Sequence, residues 1–131
     1  TLMNAESRSG TTAGKDLPFA PRVLLGWGIG YLHSSGLSVD IDATFAGQQF
    51  VDSANTGPQN ALGTLGAIPS YTLWNLRLAY EHPTYPFSVF GGISNLFDEH
   101  YIANRTAASF VGLQPGETQT FYVGASYSPK Y

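Results

Sequence analysis

The stretch Leu37–Phe50, LSVDIDATFAGQQF, alternates apolar and polar side chains over more residues than an ordinary strand holds. Leu37, Val39, Ile41, Ala43 and Phe45 fall on one side, and Ser38, Asp40, Asp42, Thr44 and Gln48 on the other. A period of two is that of an extended chain with two unlike faces. Four more stretches repeat it. RVLLGWGIGYLH (22–33) sets Val23, Leu25, Trp27, Ile29 and Tyr31 against Arg22, Gly26, Gly28 and Gly30. YTLWNLRLAYEH (71–82) sets Thr72, Trp74, Leu76, Leu78 and Tyr80 against Asn75, Arg77 and Glu81. Residues 87–97 alternate more weakly, with Phe87, Val89, Gly91 and Ile93 against Ser88, Gly92 and Ser94. QTFYVGASYSPKY (119–131) sets Phe121, Val123, Ala125, Tyr127 and Tyr131 against Thr120, Tyr122, Gly124, Ser126 and Lys130.

These five predicted strands are eleven to fourteen residues long, against about five or six in globular proteins. A tilted strand crossing a bilayer needs about 9–11. The connections alternate in length: SSG (34–36) and PTYP (83–86) are tight turns, whereas 1–20, 52–70 and 98–118 read as long loops. All the long loops therefore lie at one end of an antiparallel meander. Every charged residue within the predicted strands (Arg22, Asp40, Asp42, Arg77, Glu81, Lys130) is on the face opposite the apolar one. Long strands, short turns at one end and long loops at the other are the pattern of an outer-membrane barrel. A soluble all-β sheet with one buried face also separates polar from apolar residues, and stands as the alternative.

Composition favours the membrane reading. Charged residues make up 11% of the chain and aromatic residues 14%, where soluble domains carry about 25% charge. No apolar run approaches the length of a membrane-spanning helix. Tyr71, Trp74, Phe97 and Phe121 fall toward the long-loop ends, and Tyr31, Tyr80, Tyr85, Tyr127 and Tyr131 toward the short turns. Two such belts suit the two interfaces of a bilayer, and cross-strand aromatic packing is the other account of them. NLFDEHY (95–101), an abrupt change after FSVFGGIS, then reads as a strand leaving lipid for a polar loop. With a net charge of −3 and no Lys/Arg cluster, the chain is not expected to bind nucleic acid. It has no Cys, hence no disulfide framework or thiolate metal site.

Five strands cannot close a membrane barrel, whose bacterial minimum is about eight, and an open sheet edge is not tolerated in lipid. The chain is therefore expected to be part of a wall. With the aromatic Tyr131 at the end of the last strand, as complete barrels often have, the missing strands are expected on the N-terminal side.

GKDLPFAP, FVDSANT, GAIPSYTLWNLRLAYE, NLFDEHYIANRT and GLQPGETQTFYVGASY together resemble the C-terminal end of TonB-dependent outer-membrane receptors, from about Gly14 onward. The IPSYTLWNL and YIANRT with GLQPGE versions are most similar to the ferric-citrate-type branch. The resemblance implies a barrel of about 22 strands around an N-terminal plug, with this chain supplying the last five. It also implies import of a ferric siderophore into the periplasm of a Gram-negative bacterium, driven through the TonB complex. The plug and the TonB-contact segment are expected outside this chain. Many relatives carry Pro-Arg where this chain has Thr118-Gln119, so one positive charge expected at the rim is missing.

No catalytic constellation is present: His33, His82 and His100 lack metal-ligand spacing, and GWGIG sits inside a strand with no helix following it. Its glycines leave room inside a barrel. Asn104-Arg105-Thr106 matches a glycosylation acceptor by chance. Asp40 and Asp42, roughly 7 Å apart on one strand face, should share a height with Arg77. They would form a lumen charge group that either contacts the plug or braces the wall. Ligand contacts belong in the long loops. Arg105, able to pair bidentately with the carboxylates of an iron(III) chelate, is the first candidate, with Asn104 and Gln114 beside it. A brace between loops is the other reading of Arg105. No cofactor is expected, iron being cargo.

Overall fold

The computed structural model describes residues 1–106 and 112–128. Among the described residues there are seven strands: β1 (Leu24–Leu32), β2 (Leu37–Ala46), β3 (Tyr71–Glu81), β4 (Phe87–Ser94), β5 (Ile102–Thr106), β6 (Gly112–Pro115) and β7 (Thr120–Tyr127). Five form one sheet in the order β1-β2-β3-β4-β7, and β5-β6 pair as a separate antiparallel ribbon. The strands of the main sheet are shorter than their alternating sequence suggested, at eight to eleven residues. The loop expected over 98–118 contains the β5-β6 hairpin. Lys130 and Tyr131, read above as the end of the last strand, lie outside the described residues.

The chain divides into two compact units. One comprises Gly26–Thr44, Leu73–Glu99 and Glu117–Tyr131; the other comprises Thr1–Leu25, Phe45–Thr72 and His100–Gly116. In the second unit the opening residues are less loop-like than expected. Leu2 bridges Val23, the Met3 amide donates to Arg22 O at 2.9 Å, and a short 3-10 turn covers Gly10–Thr12. Arg22, expected on the inner face of the first strand, precedes β1 and pairs with Asp16 at 2.8 Å and Glu6 at 3.6 Å. The two acids reached through the folded-back N-terminal segment hold it there.

In the sheet, register turns alternation into rows. Arg77 of β3 stands opposite Gly92 of β4, which stands opposite Tyr122 of β7. Between β2 and β3, Gly36 O accepts from Glu81 N, the Ser38 hydroxyl donates to Ala79 O, and the Asn75 amide donates to Asp42. These contacts advance along one strand as far as they retreat along the other, which sets Asp40 opposite Arg77. Between β1 and β2, Gly28 faces Asp42 and Gly30 faces Asp40. One row therefore reads Gly30, Asp40, Arg77, Gly92, Tyr122, and the next Gly28, Asp42, Asn75, Ser94, Thr120.

The opposite face reads Ile29, Ile41, Leu76, Ile93, Phe121 in the alternate row. Above it Trp27 and Trp74 flank Ala43 and meet edge-to-face with centroids 4.5 Å apart, Phe97 adding to Trp74 at 5.9 Å. Ala43 is 1% exposed, because two indoles close over a side chain too small to hold them apart. The rest of this face runs from half-buried at Ile41, Leu76 and Ile93 to open at Ile29, 71% exposed, and Val123, 83%. Among the described residues the buried apolar side chains are Ala43, Ala46 and Ile68. A soluble sheet would bury one face in a core, and this one leaves a continuous apolar surface that water does not tolerate at such size. Lipid does.

Candidate functional site

The polar face of the sheet carries a connected set of side chains. The Asn75 amide donates to Asp42 Oδ2 at 2.7 Å, and its oxygen accepts from Asn95 N at 3.1 Å. Asn95 Nδ2 donates to Glu99 O at 3.0 Å and Glu117 O at 2.9 Å, while its Oδ1 accepts from Glu99 N at 2.8 Å. This is what ends β4. Asn95 takes φ 50°, a left-handed conformation that Asn tolerates better than most residues, and is 4% exposed. The NLFD turn is then tied to the start of β7. Gln119 N donates to Asp98 Oδ1 at 3.0 Å and Gln119 Nε2 to Leu96 O at 2.7 Å. Gln119, where an arginine was expected from the resemblance, thus serves this tie without a charge.

Asp40, Asp42 and Arg77 lie in adjacent rows of the same face, as spacing suggested, but not as a close ion pair. The Arg77 guanidinium shares its row with Tyr122 on one side and Asp40 on the other. Their separation has a steric reason. Gly92 and Gly30 carry no side chain, so the Tyr122 ring lies over Gly92 toward Arg77, and the Asp40 carboxylate lies over Gly30, away from it. The glycines are filled by their neighbours' side chains; only Gly26 of the GWGIG stretch opens onto empty space.

Among the long loops, residues 1–22 and 47–70 are stitched together. Lys15 donates to Ala54 O at 2.7 Å, Asp16 N to Asn55 Oδ1 at 2.8 Å, and Asn55 Nδ2 back to Asp16 O at 2.9 Å. Asp52 accepts from Thr56 N at 2.9 Å and from the Thr56 hydroxyl at 2.6 Å. Burial pushes the Asp52 carboxyl up, but the Thr56 hydrogen bonds and nearby Lys15 outweigh it, and it lies below its ordinary 3.8. The hydrogen bond and charge of Asp16 raise Arg22 above its ordinary value.

Arg105 does not face solvent. It sits on β5, is 5% exposed, and spends its guanidinium on the loop 59–67. Nη1 donates to Gly63 O at 3.2 Å and reaches Leu65 O at 3.5 Å; Nη2 donates to Ala67 O and Gln59 Oε1, both at 3.2 Å. Its Nε is buried with no partner among the described residues. Asn104 and Gln114 stand opposite each other on β5 and β6; Asn104 Oδ1 accepts from Arg105 N at 2.8 Å, and Gln114 is exposed. The three residues are therefore neighbours, with Arg105 turned inward. Sequence reasoning missed Asn95, Tyr122 and Gln59. A lone Asn directly after an alternating run was the one available signal. No cluster of three or more His, Cys, Asp or Glu able to hold a metal occurs among the described residues.

A family model described as TonB dependent receptor-like, beta-barrel, matches residues 2–96. The crystal structure of the ferric citrate transporter FecA in its unliganded form is similar with a TM-score of 0.83 and 30% identity, over 92% of this chain and 19% of that one. The closed form of the ferric-catecholate import receptor Fiu from E. coli K12 gives a TM-score of 0.67 at 24% identity, over 84% and 14%. BauA, the ferric preacinetobactin receptor from Acinetobacter baumannii, gives 0.62 at 20%, over 93% and 17%. The last two show the fold alone. The chain spans about a fifth or less of the length of each of these receptors. It is an all-β antiparallel segment of a receptor barrel, not closed by its own strands. The matched residues run through the whole of β1 to β4, and the chain belongs to the TonB-dependent receptor-like β-barrel family.

Proposed function

We propose that this chain forms the C-terminal wall of an outer-membrane receptor that imports an iron(III) chelate, a ferric siderophore or ferric citrate, into the periplasm. The observation that carries the reading is the likeness to the ferric citrate transporter over 92% of the chain at 30% identity. The apolar face meets outer-membrane lipid. The polar face lines a lumen occupied by the receptor's N-terminal plug, and the remaining barrel strands cover the two sheet edges. Loops capture the chelate, the plug rearranges under force from the TonB complex, and the cargo passes inward. In this reading Asn104 and Gln114 contact cargo by neutral hydrogen bonds; a direct contact from Arg105 would require it to leave its carbonyl partners. Asp40, Asp42 and Arg77 face the plug.

The test is uptake of radiolabelled iron by cells expressing the full-length receptor, with iron presented as citrate or as a catecholate, in strains with and without TonB. TonB-dependent uptake from citrate supports the reading in full. TonB-dependent uptake from the catecholate alone would keep the receptor and change the cargo. Uptake independent of TonB would favour a porin-like channel.

A further inference from the structure

The loop 59–67 is bent so that oxygens converge. Gly63 at φ +70° and Gly66 at φ +123° are left-handed turns closed to other residues, and between them the carbonyls of Gly63, Leu65 and Ala67 come to one place with Gln59 Oε1. Four oxygens aimed at one point repel one another unless a cation sits there. The cation is Arg105, from a different loop 38 to 46 residues further along the chain. Among the described residues no carboxylate accompanies it in the contacts of its guanidinium: the positive charge is met by dipoles, and Nε has no acceptor there. The packing is tight as well as polar. A side chain at Gly63 would press on Leu113 and Gly112 of β6.

We infer that Arg105 is a positioning residue, a cation built into the chain that shapes the loop 59–67 and straps it to the β5-β6 hairpin, so that the two loops order and loosen as one unit. The loop depends on the hairpin for its cation, and the hairpin's one buried charge depends on the loop for its acceptors. Displacing either releases both. The role of these loops in cargo capture rests on the reading above, but the strap does not, and it can be tested with no cargo present.

The test is limited proteolysis of the full-length receptor in outer-membrane vesicles, mapping cuts within 59–67. Hydrogen bonds to a buried charge are among the stronger ones, and cleavage of a transiently open loop follows its open population. Arg105→Ala should therefore raise cutting there at least about tenfold, with the heat-resistant folded band of the barrel unchanged on electrophoresis. Arg105→Lys, which keeps the charge but not the planar fork, should fall between the two. Free guanidinium ion at a sub-denaturing concentration should protect Arg105→Ala and leave the parent unaffected. Protection of the loop in Arg105→Ala equal to the parent would overturn the strap. Loosening that neither Lys nor guanidinium reduces would overturn the cation role. Failed uptake in a receptor whose loop remains strapped would count against the transport reading and leave the strap standing.

Discussion

Tyr122 of β7 lies over Gly92 of β4, which stands opposite Arg77 of β3, so that one row crosses three strands with a glycine as its middle member. A β-carbon at Gly92 would run into the Tyr122 hydroxyl and the Leu76 carbonyl oxygen. Gly92→Ala should expel the phenol, separate it from Arg77 and lower the temperature at which the folded barrel loses its compact mobility on electrophoresis. Tyr122→Phe, which removes the hydroxyl and keeps the ring, should have a smaller effect. Adding Tyr122→Ala to Gly92→Ala should recover part of the loss, the clash with Leu76 remaining. A neutral Gly92→Ala would show that the row is loosely packed.

Asn95 joins backbone strain to hydrogen bonding. Asn95→Ala loses the contacts to Glu99 and Glu117 at a buried site, a cost of about 1–3 kcal/mol. Asn95→Asp should fare no better, since it turns the donor toward two carbonyls into an acceptor. Asn95→Gly, at ease with φ 50°, should be the mildest of the three. Urea unfolding of the receptor in lipid vesicles ranks them, and an Ala variant milder than Gly would contradict the backbone part of the account.

Asp52 carries a pH dependence. Its carboxyl lies below 3.8 in the folded loop, so its contribution is present above 3.8 and is lost as pH falls through the lower folded value. Protease cutting around 52–56 should rise as the pH is taken below 3.8 in the parent, whereas Asp52→Asn should be more open at neutral pH and flat through the same acid range. A parent loop whose protection does not change in acid would contradict it.

The long alternating strands were legible because each face of a barrel wall meets one solvent, and a period of two writes that difference directly into Leu37–Phe45 and Tyr71–Glu81. The rows were less so: alternation says which face a residue takes, and only hydrogen bonds say that Asp40 lies beside Arg77 yet leans toward Gly30. The hairpin of β5 and β6 escaped because IANRT and GLQP are short, with a register irregularity between Ile102 and Asn104. The position of Arg105 was illegible for a deeper reason. Its partners are mostly backbone carbonyls, which every residue has, so no side-chain pattern announces them. The charged residue that was the first candidate for a ligand contact is among the most buried.

Facing can be tested by charge. Ile41 sits in the apolar row with Ile29, Leu76, Ile93 and Phe121, whereas Thr44 is on the polar face. Ile41→Arg should cost about 2–4 kcal/mol near the bilayer midplane, and Thr44→Arg much less. Folding yields into vesicles compare them, and equal yields would refute the assignment.

The most direct test of the central claim, that this sheet is a wall between lipid and a wet lumen, uses single cysteines along β2. The chain has no Cys of its own, so positions 38 to 45 can be replaced one at a time in the full-length receptor and spin-labelled in bilayers. The account predicts a period of two. Labels at 39, 41 and 45 should be relaxed by oxygen, which concentrates in lipid, and labels at 38, 40, 42 and 44 by a water-soluble paramagnetic complex or by contact with the plug, position 43 being covered by Trp27 and Trp74. Oxygen accessibility that is uniform along β2, or highest at the even positions, would contradict the claim.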